Sequence, residues 1–387
     1  MRQLSNSGER AFIEALRNRL AHSRGENRRP SRGRREVTAP SFSPVTMGIG
    51  DDCAILRPAS GNEVLVTTDF TLETVHFRRE WHSAESVGHR CLARGLSDIA
   101  AMGAKPMAAF LSLALPVELV RSHVGRPSWR ERFFDGFLSL ADKYKVPLAG
   151  GDTAQSPLIP AASSRRNRQT PRSTATGLAL MDIVLVGTAP RGRSLRRSTA
   201  KVGDRIYVTG CLGGAAAELA QLPANPRRYR NATTATAEPG TPNSHPHLFP
   251  EPRLAIGAWL LKNRRASSAI DISDGLSTDL DHVCEESRLA ATIDASAIPI
   301  HPIARRASGS DVGKALQFAL DGGEDYELLF TASPKMHVPR RIAGVPITCI
   351  GEMRADKSRT PRVQLVEVVD GREHTRPLPS GGWEYFT

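Results

Sequence analysis

A chain of 387 residues with 40% hydrophobic and 24% charged residues has a soluble globular composition and room for two ordinary domains. No window approaches the roughly 18 uninterrupted apolar residues of a membrane-crossing helix, and the N-terminus lacks the apolar stretch of a secretory signal. The formal charge of +12 is local: residues 1–40, 158–173 and 225–232 carry +6, +4 and +3, in sequence rich in Pro, Ser, Asn or Thr. Those segments read as solvated surface. With aromatic residues at only 5%, nucleic-acid binding is not the expected role. The cysteines Cys53, Cys91, Cys211, Cys284 and Cys349 form no C-x-x-C pair, which argues against zinc and a disulfide framework. The cytoplasm is the expected compartment.

In chain order, residues 7–22 place Phe12, Ile13, Leu16 and Leu20 at helical spacing and predict an amphipathic helix. Residues 23–40 read as a linker. From Gly48 strands and helices alternate: a strand at 64–68, a helix at 83–102, a strand at 108–115 closed by Pro116, and a helix at 129–143. Leu148 and Ala149 are expected to enter a Gly-Gly-Asp turn, followed by a strand at 177–186. Beyond lie a strand at 204–210, a glycine-led helix at 212–222, and a segment at 223–250 that reads as an inserted loop. A helix at 253–262, a strand at 269–272, a helix at 276–288, and strands at 291–294, 326–331 and 347–351 follow. The pattern predicts an α/β protein of two domains, 41–190 and 191–387, dividing near 187–200, after an N-terminal segment 1–40.

The aspartates carry the chemical signal. They sit beside glycines or at strand ends, in Gly50-Asp51-Asp52, Thr67-Thr68-Asp69, Ser97-Asp98, Gly150-Gly151-Asp152-Thr153 and Asp271-Ile272-Ser273-Asp274-Gly275. Strand ends share an edge, so such acids can converge. Clustered carboxylates repel unless cations neutralise them, and hard oxygen ligands suit Mg²⁺ held jointly with phosphates. Glycines let the backbone approach phosphate oxygens. Together they point to a nucleotide triphosphate bound through metal. Each string alone also has an ordinary reading: Asp274 as a helix N-cap, His76 as a surface residue, Glu324 and Asp325 as turn caps, Trp383 as tail packing. Gly213-Gly214 fits either an anion-admitting helix start or a tight helix–sheet contact. A Walker A loop and the protein-kinase motifs are absent.

Taken in order, GIGDDCAIL (48–56), VTTDFTLETVHF (66–77), LARGLSDIAAMGAKP (92–106), GGDT (150–153), KVGDRIYVTG (201–210), AIDISDGLSTDL (269–280) and DGGEDYELLF (321–330) resemble the thiamine-monophosphate kinase family. That family lies within the aminoimidazole-ribonucleotide-synthetase-like, or PurM-like, superfamily. The resemblance implies a two-domain PurM-like fold, a homodimer, Mg²⁺ as cofactor, and ATP and thiamine monophosphate as substrates. Asp52, Thr67, Thr68, Asp69, Asp98, Asp152, Asp271 and Asp274 match the family's magnesium ligands. Gly151, Asp152, Arg197 and Ser273 match its ATP contacts, and His76, Glu324 and Trp383 its substrate contacts. The chain departs from the family pattern after GGDT, where Ala154 and Gln155 follow, and in the added stretches 158–173 and 223–250. The implied reaction is direct in-line phosphoryl transfer with no general base. The alternatives are another PurM-like enzyme, such as an aminoimidazole-ribonucleotide or selenophosphate synthetase, or a basic nucleic-acid-binding protein. Residues 1–47 hold no cysteine, which counts against the selenophosphate reading.

Overall fold

The computed structural model describes residues 16, 18, 19, 44–49, 53–122, 125–159, 176–232, 245–356 and 361–383. Two sheets organise them. The first contains β1 (Asn62–Leu72), β2 (Lys105–Leu115), β3 (Leu148–Gln155) and β4 (Leu180–Pro190), in spatial order β1-β4-β2-β3. Only the β2–β3 pair is parallel. The second contains β5 (Arg205–Thr209), β6 (Ser268–Ile272), β7 (Leu289–Asp294), β8 (Glu327–Ala332), β9 (Val345–Ala355), β10 (Val363–Val369) and β11 (Arg372–Leu378). Its order is β6-β8-β5-β9-β7-β10-β11, with the short strand Arg341–Ile342 pairing β9 as an eighth member.

Helix α1 (Ala84–Ala101) packs against strands of both sheets, and α2 (Trp129–Tyr144) and α3 (Leu254–Asn263) pack on α1. Leu92, Leu96 and Ile99 of α1, Leu185 of β4, Leu260 of α3 and Phe330 of β8 belong to one continuous core. Helices α4 (Leu276–Ser287) and α5 (Val312–Asp321) close the far face of the second sheet over a second core around Ile206, Ile270 and Leu280. β6 and β8, apolar-rich and buried on both faces, read as the near-continuous runs expected of interior strands. Helix α1 begins where Ser83 Oγ accepts the N–H of Ser86, and it stays buried almost all round because its residues are small.

The sequence-based elements recur with four differences. GGDT is not a turn: residues 150–153 are extended within β3, because pairing with β2 carries the strand through the glycines. The strand expected from Gly177 begins at Leu180, and Gly177 pairs instead with Leu158 in a small ribbon. Residues 223–250 are not all loop, since Pro226–Arg230 is helical and Leu222, Tyr229, Ala232 and Leu248 make a small core. The hairpin β10–β11 and helix α5 were not legible in the sequence pattern. Of the helix expected at 7–22, Leu16, Asn18 and Arg19 are helical; the linker 23–40 and most of 158–173 lie outside the described residues.

α1 and α2 cross at glycines. A Cβ on Gly88 would stand 1.9 Å from the Phe133 carbonyl oxygen, and one on Gly136 would stand 1.9 Å from that of Glu85. In an open helix Gly136→Ala would stabilise by up to ~1 kcal/mol. At this crossing overpacking by roughly 1–3 kcal/mol opposes and exceeds that gain. Gly136→Ala is therefore expected to lower the urea midpoint, and an unchanged or raised midpoint would contradict the close crossing.

Candidate active site

Where the loops after β1, β6 and α5 meet α1, they enclose a cavity of about 730 Å³. Its polar end is built by two periodicities. Alternation along β1 turns Thr67 and Asp69 toward α1, and alternation along β6 turns Asp271 the same way, away from Ile270 and Ile272. Helical spacing on α1 lines up Arg90, Arg94 and Asp98 at i, i+4 and i+8. The contacts follow. Thr67 Oγ1 donates to Asp98, and Ser97 Oγ donates to Asp271 Oδ2 at 2.7 Å. Arg94 Nε stands 3.7 Å from Asp69 Oδ1, and its Nη1 stands 3.6 Å from Glu324 Oε1.

The floor is three laced loops. The Glu324 and Tyr326 N–H groups donate to the carbonyls of Ser273 and Ile272 at 2.7 and 2.9 Å, and the Trp383 N–H donates to Asp274 O at 3.1 Å. Glu324 and Tyr326 hold φ of 56° and 50°, a conformation side chains adopt only where surroundings enforce it. Gly275 is the N-cap of α4, without a side-chain cap, and Asp279 of its first turn reaches back to accept from the N–H groups of Ser273, Asp274 and Gly275 at 3.0–3.1 Å. Asp274 is therefore not the cap, and its carboxyl lines the cavity. Asp325 accepts from Gly213 and Ala215 N–H groups at 2.6 and 3.2 Å, closing that helix start to anions. Gly213 and Gly214 are there for close packing: their added Cβ atoms would meet α5 backbone at 2.7 Å and the His301 ring at 2.6 Å.

The cavity collects Thr68, Asp69, His76, Asp98, Asp271, Ser273, Asp274, Glu324 and Trp383 from the sequence-based set. Thr67 stands just behind through Asp98. Arg197, exposed on a 3-10 turn (Arg197–Thr199), does not line it but acts electrostatically on Asp98, Asp271 and Asp274. Gly151 and Asp152 are not brought to the lining. Gly151 permits the β2–β3 pairing, since its Cβ would meet Leu111 O at 1.9 Å. Asp152 is exposed in β3, in register with Ser112, which is in register with Asp182 of β4. Asp52 lies outside the described residues.

Several site groups escaped the sequence. Asp182 accepts from Thr68 Oγ1 at 2.7 Å and acts electrostatically on Asp69, yet it sits mid-strand with no flanking glycine. Arg90, Arg94 and Trp81 gave no motif; only the i, i+4, i+8 spacing from Arg90 to Asp98 could have signalled the arginines.

Burial dominates the acids' titration. It pushes Asp69 up to about 7, aided by Asp98 and opposed by Arg94. Burial first, and then Asp98, raises Asp271; burial also raises Asp98 and Asp274. Glu324 moves the other way: burial would raise it, but Arg90 foremost, with His247 and Arg94, holds it well below the usual carboxylate range. Burial and then Arg94 bring His76 down to about 4. Its Nδ1 accepts the Leu72 N–H at 2.9 Å, so the neutral ring keeps its proton on Nε2.

The donor set fits a hard cation. All the converging ligands are oxygens, and Asp69 Oδ2 is buried without a hydrogen-bond partner. Among the described residues no three acids or histidines gather tightly enough to hold a metal alone.

Residues 50–194 match the family model of the N-terminal domain of AIR synthase related proteins. The chain is 38% identical over 320 residues to the thiamine-monophosphate kinase of Salmonella typhimurium (strain LT2), covering 81% of this chain and 85% of that one. A crystal structure of thiamine-monophosphate kinase from Stenotrophomonas maltophilia K279a matches with a TM-score of 0.69 and 32% identity, over 93% of this chain and 97% of that one. AaThiL complexed with AMPPCP and TMP matches with a TM-score of 0.65 and 25% identity, over 100% and 99%. The chain belongs to the thiamine-monophosphate kinase family.

A carboxyl raised from 3.8 to about 7 favours the folded state while protonated and loses that contribution as pH climbs through this window. Without divalent metal, the melting temperature should therefore fall between pH 5 and pH 8. Asp271→Asn, which can still accept from Ser97, should raise it at pH 8. A lower melting temperature for that variant at pH 8 would contradict the electrostatic description.

Proposed function

We propose that the protein transfers the γ-phosphoryl group of ATP to thiamine monophosphate, giving thiamine diphosphate and ADP. One observation carries the reading: four carboxylates, Asp69, Asp98, Asp271 and Asp274, line one cavity together with Trp81, Trp383, Val75 and Leu219. The carboxylates are repulsive to phosphates by themselves and attractive to them once cations are bound. The aromatic and apolar lining suits heterocyclic rings. The AMPPCP and TMP complex of a relative supports the same pairing of ligands.

In this reading Asp69, Asp98, Asp271 and Asp274, with Thr67 and Thr68 at their backs and Asp52 and Asp152 completing the set, would hold Mg²⁺. When bound, it screens the charge of two polyanions and polarises the transferred group. The protein's own part is positioning. Ser97 and Thr67 orient Asp271 and Asp98. Ser273, Gly151, Asp152 and Arg197 are proposed to contact ATP, with Arg197 supplying a guanidinium for phosphate charge. His76 offers an Nε2 donor to the second substrate, alongside Glu324 and Trp383. The acceptor is a phosphate oxygen already ionised at neutral pH, so no side chain has to remove a proton and no general base is assigned.

The division into domains 41–190 and 191–387 is proposed from the four-stranded sheet in the first and the eight-stranded sheet in the second. A cytoplasmic location rests on the need for ATP and on five cysteines that are all free; no described helix is long and apolar enough to cross a membrane. A homodimer is part of the reading, since Val64, Val66 and Phe70 expose an apolar row 47%, 66% and 61% accessible on the outer face of β1. Light scattering that returns the monomer mass at micromolar concentration would rule it out.

Purified protein incubated with ATP, Mg²⁺ and thiamine monophosphate should form thiamine diphosphate, read by chromatography. Asp98→Asn should cut turnover at least about a hundredfold by removing one charge from the wall. Near-normal turnover in a folded Asp98→Asn protein would remove the wall from the mechanism, and no product from wild type would refute the reaction.

A further inference from the structure

Behind the cavity lies a buried polar cluster that the proposed reaction does not use. Arg90 of α1 is 3% exposed and reaches two residues of the proposed substrate end at once. Its Nη2 donates to Glu324 Oε1 at 2.6 Å, and its Nη1 donates to the His76 carbonyl at 3.0 Å. The same Nη1 lies 3.1 Å from His247 Nε2 and 3.2 Å from His82 Nε2, and those two ring nitrogens are 2.9 Å apart.

His247 Nδ1 lies 3.1 Å from Glu324 Oε2, out of line for a hydrogen bond, and the neighbouring carboxylate favours the proton on that nitrogen. Burial keeps the His247 ring neutral, which leaves its Nε2 as an acceptor. It takes the second Nη1 hydrogen of Arg90 and the Nε2 proton of His82. His82 is then protonated on Nε2, and its Nδ1 accepts the Arg78 N–H at 3.2 Å.

His247 is pinned where it is. Its own N–H donates to Glu218 Oε2 at 2.8 Å, and His245 Nδ1 meets Glu218 Oε1 at 2.6 Å. Leu248 is fully buried against Leu222 and Tyr229. Two residues on, the Pro250 carbonyl meets His89 Nε2 of α1 at 2.8 Å. The stretch 245–250 is thus fixed behind the site, although in sequence it belongs to a segment resembling an inserted loop.

We propose that His247, with His82 behind it, is a positioning residue that holds Arg90, and through it Glu324 and the His76 main chain, in the geometry that receives the phosphate acceptor. The proposal rests on the reading of this cavity as a thiamine-monophosphate site. It assigns to the added segment a part in acceptor binding and none in ATP binding, because the cluster bonds Glu324 and the His76 main chain and none of Asp69, Asp98, Asp271 and Asp274.

The test is steady-state kinetics with each substrate varied in turn. His247→Leu removes both polar contacts and should raise the KM for thiamine monophosphate at least about tenfold, with the ATP KM and kcat within about threefold. His247→Gln, whose Oε1 reaches the Nε2 position and can accept from Arg90, should recover that KM to within about threefold. His247→Asn, which keeps polarity but stops short of the Nε2 position, should behave like the leucine variant, and it serves if His247→Leu fails to fold. A folded His247→Leu or His247→Asn protein with wild-type acceptor KM overturns the proposal, as does a glutamine variant no better than the other two. Wild-type protein inert toward thiamine monophosphate, by contrast, overturns the functional reading together with this one.

Discussion

Helix α1 lies between two sheets, and each sheet turns a carboxylate toward it. Asp69 comes from β1 and Asp271 from β6, while α1 adds its own Asp98. Three acids from three elements thereby share one low-dielectric corner, where like charges repel far more strongly than in water. Arg94, one turn before Asp98, offsets part of that repulsion, and the raised titration of Asp69, Asp98 and Asp271 records the remainder. The protein tolerates the arrangement because the surrounding core is extensive and α1 is locked by the glycine crossing with α2. A corner so built gains stability from any bound cation.

Tolerating such a corner depends on rigid backing. Ser97, Thr67 and Thr68 each bond a carboxylate, and Asp279 gathers three backbone N–H groups so that the 273–275 loop is set before any ligand arrives. The positive-φ residues Glu324 and Tyr326 are held by backbone bonds to that same loop. Strain is thus placed at the cavity floor and compensated by buried strands on either side. The opposite charge balance prevails at Glu324, where Arg90 and Arg94 keep the carboxylate ionised. One helix therefore supplies both the neutralising arginines and part of the acidic wall.

How much of this was legible followed from the kind of signal. Acids beside glycines or at strand ends stood out, and Asp69, Asp98, Asp271 and Asp274 do converge. Asp182 did not stand out, because it occupies an ordinary alternation position and becomes a site neighbour only through strand pairing. GGDT looked like a turn because glycine and aspartate favour turns, whereas ladder pairing with β2 overrides that local preference. Asp274 is a plausible cap for α4 in sequence; the fold shows Gly275 at that position and the buried Asp279 holding the preceding loop. His247 was hidden by composition, since Pro, Asn, Thr and His read as loop, and Glu218 is what fixes it. Asp152, two strands from Asp182 and so roughly 10 Å away in the sheet, is the residue whose place in the set the geometry supports least.

The central claim is that the carboxylate corner is a cation and phosphate site and that the aromatic lining receives the acceptor's rings. A crystal structure with Mg²⁺, an unhydrolysable ATP analogue and thiamine monophosphate tests it most directly. The account predicts Mg²⁺ at about 2.1 Å from oxygens of Asp69, Asp98, Asp271 or Asp274, the acceptor phosphate against those ions, and its rings beside Trp81 or Trp383. Both phosphate-bearing ligands bound elsewhere, with the corner holding no metal, would contradict it.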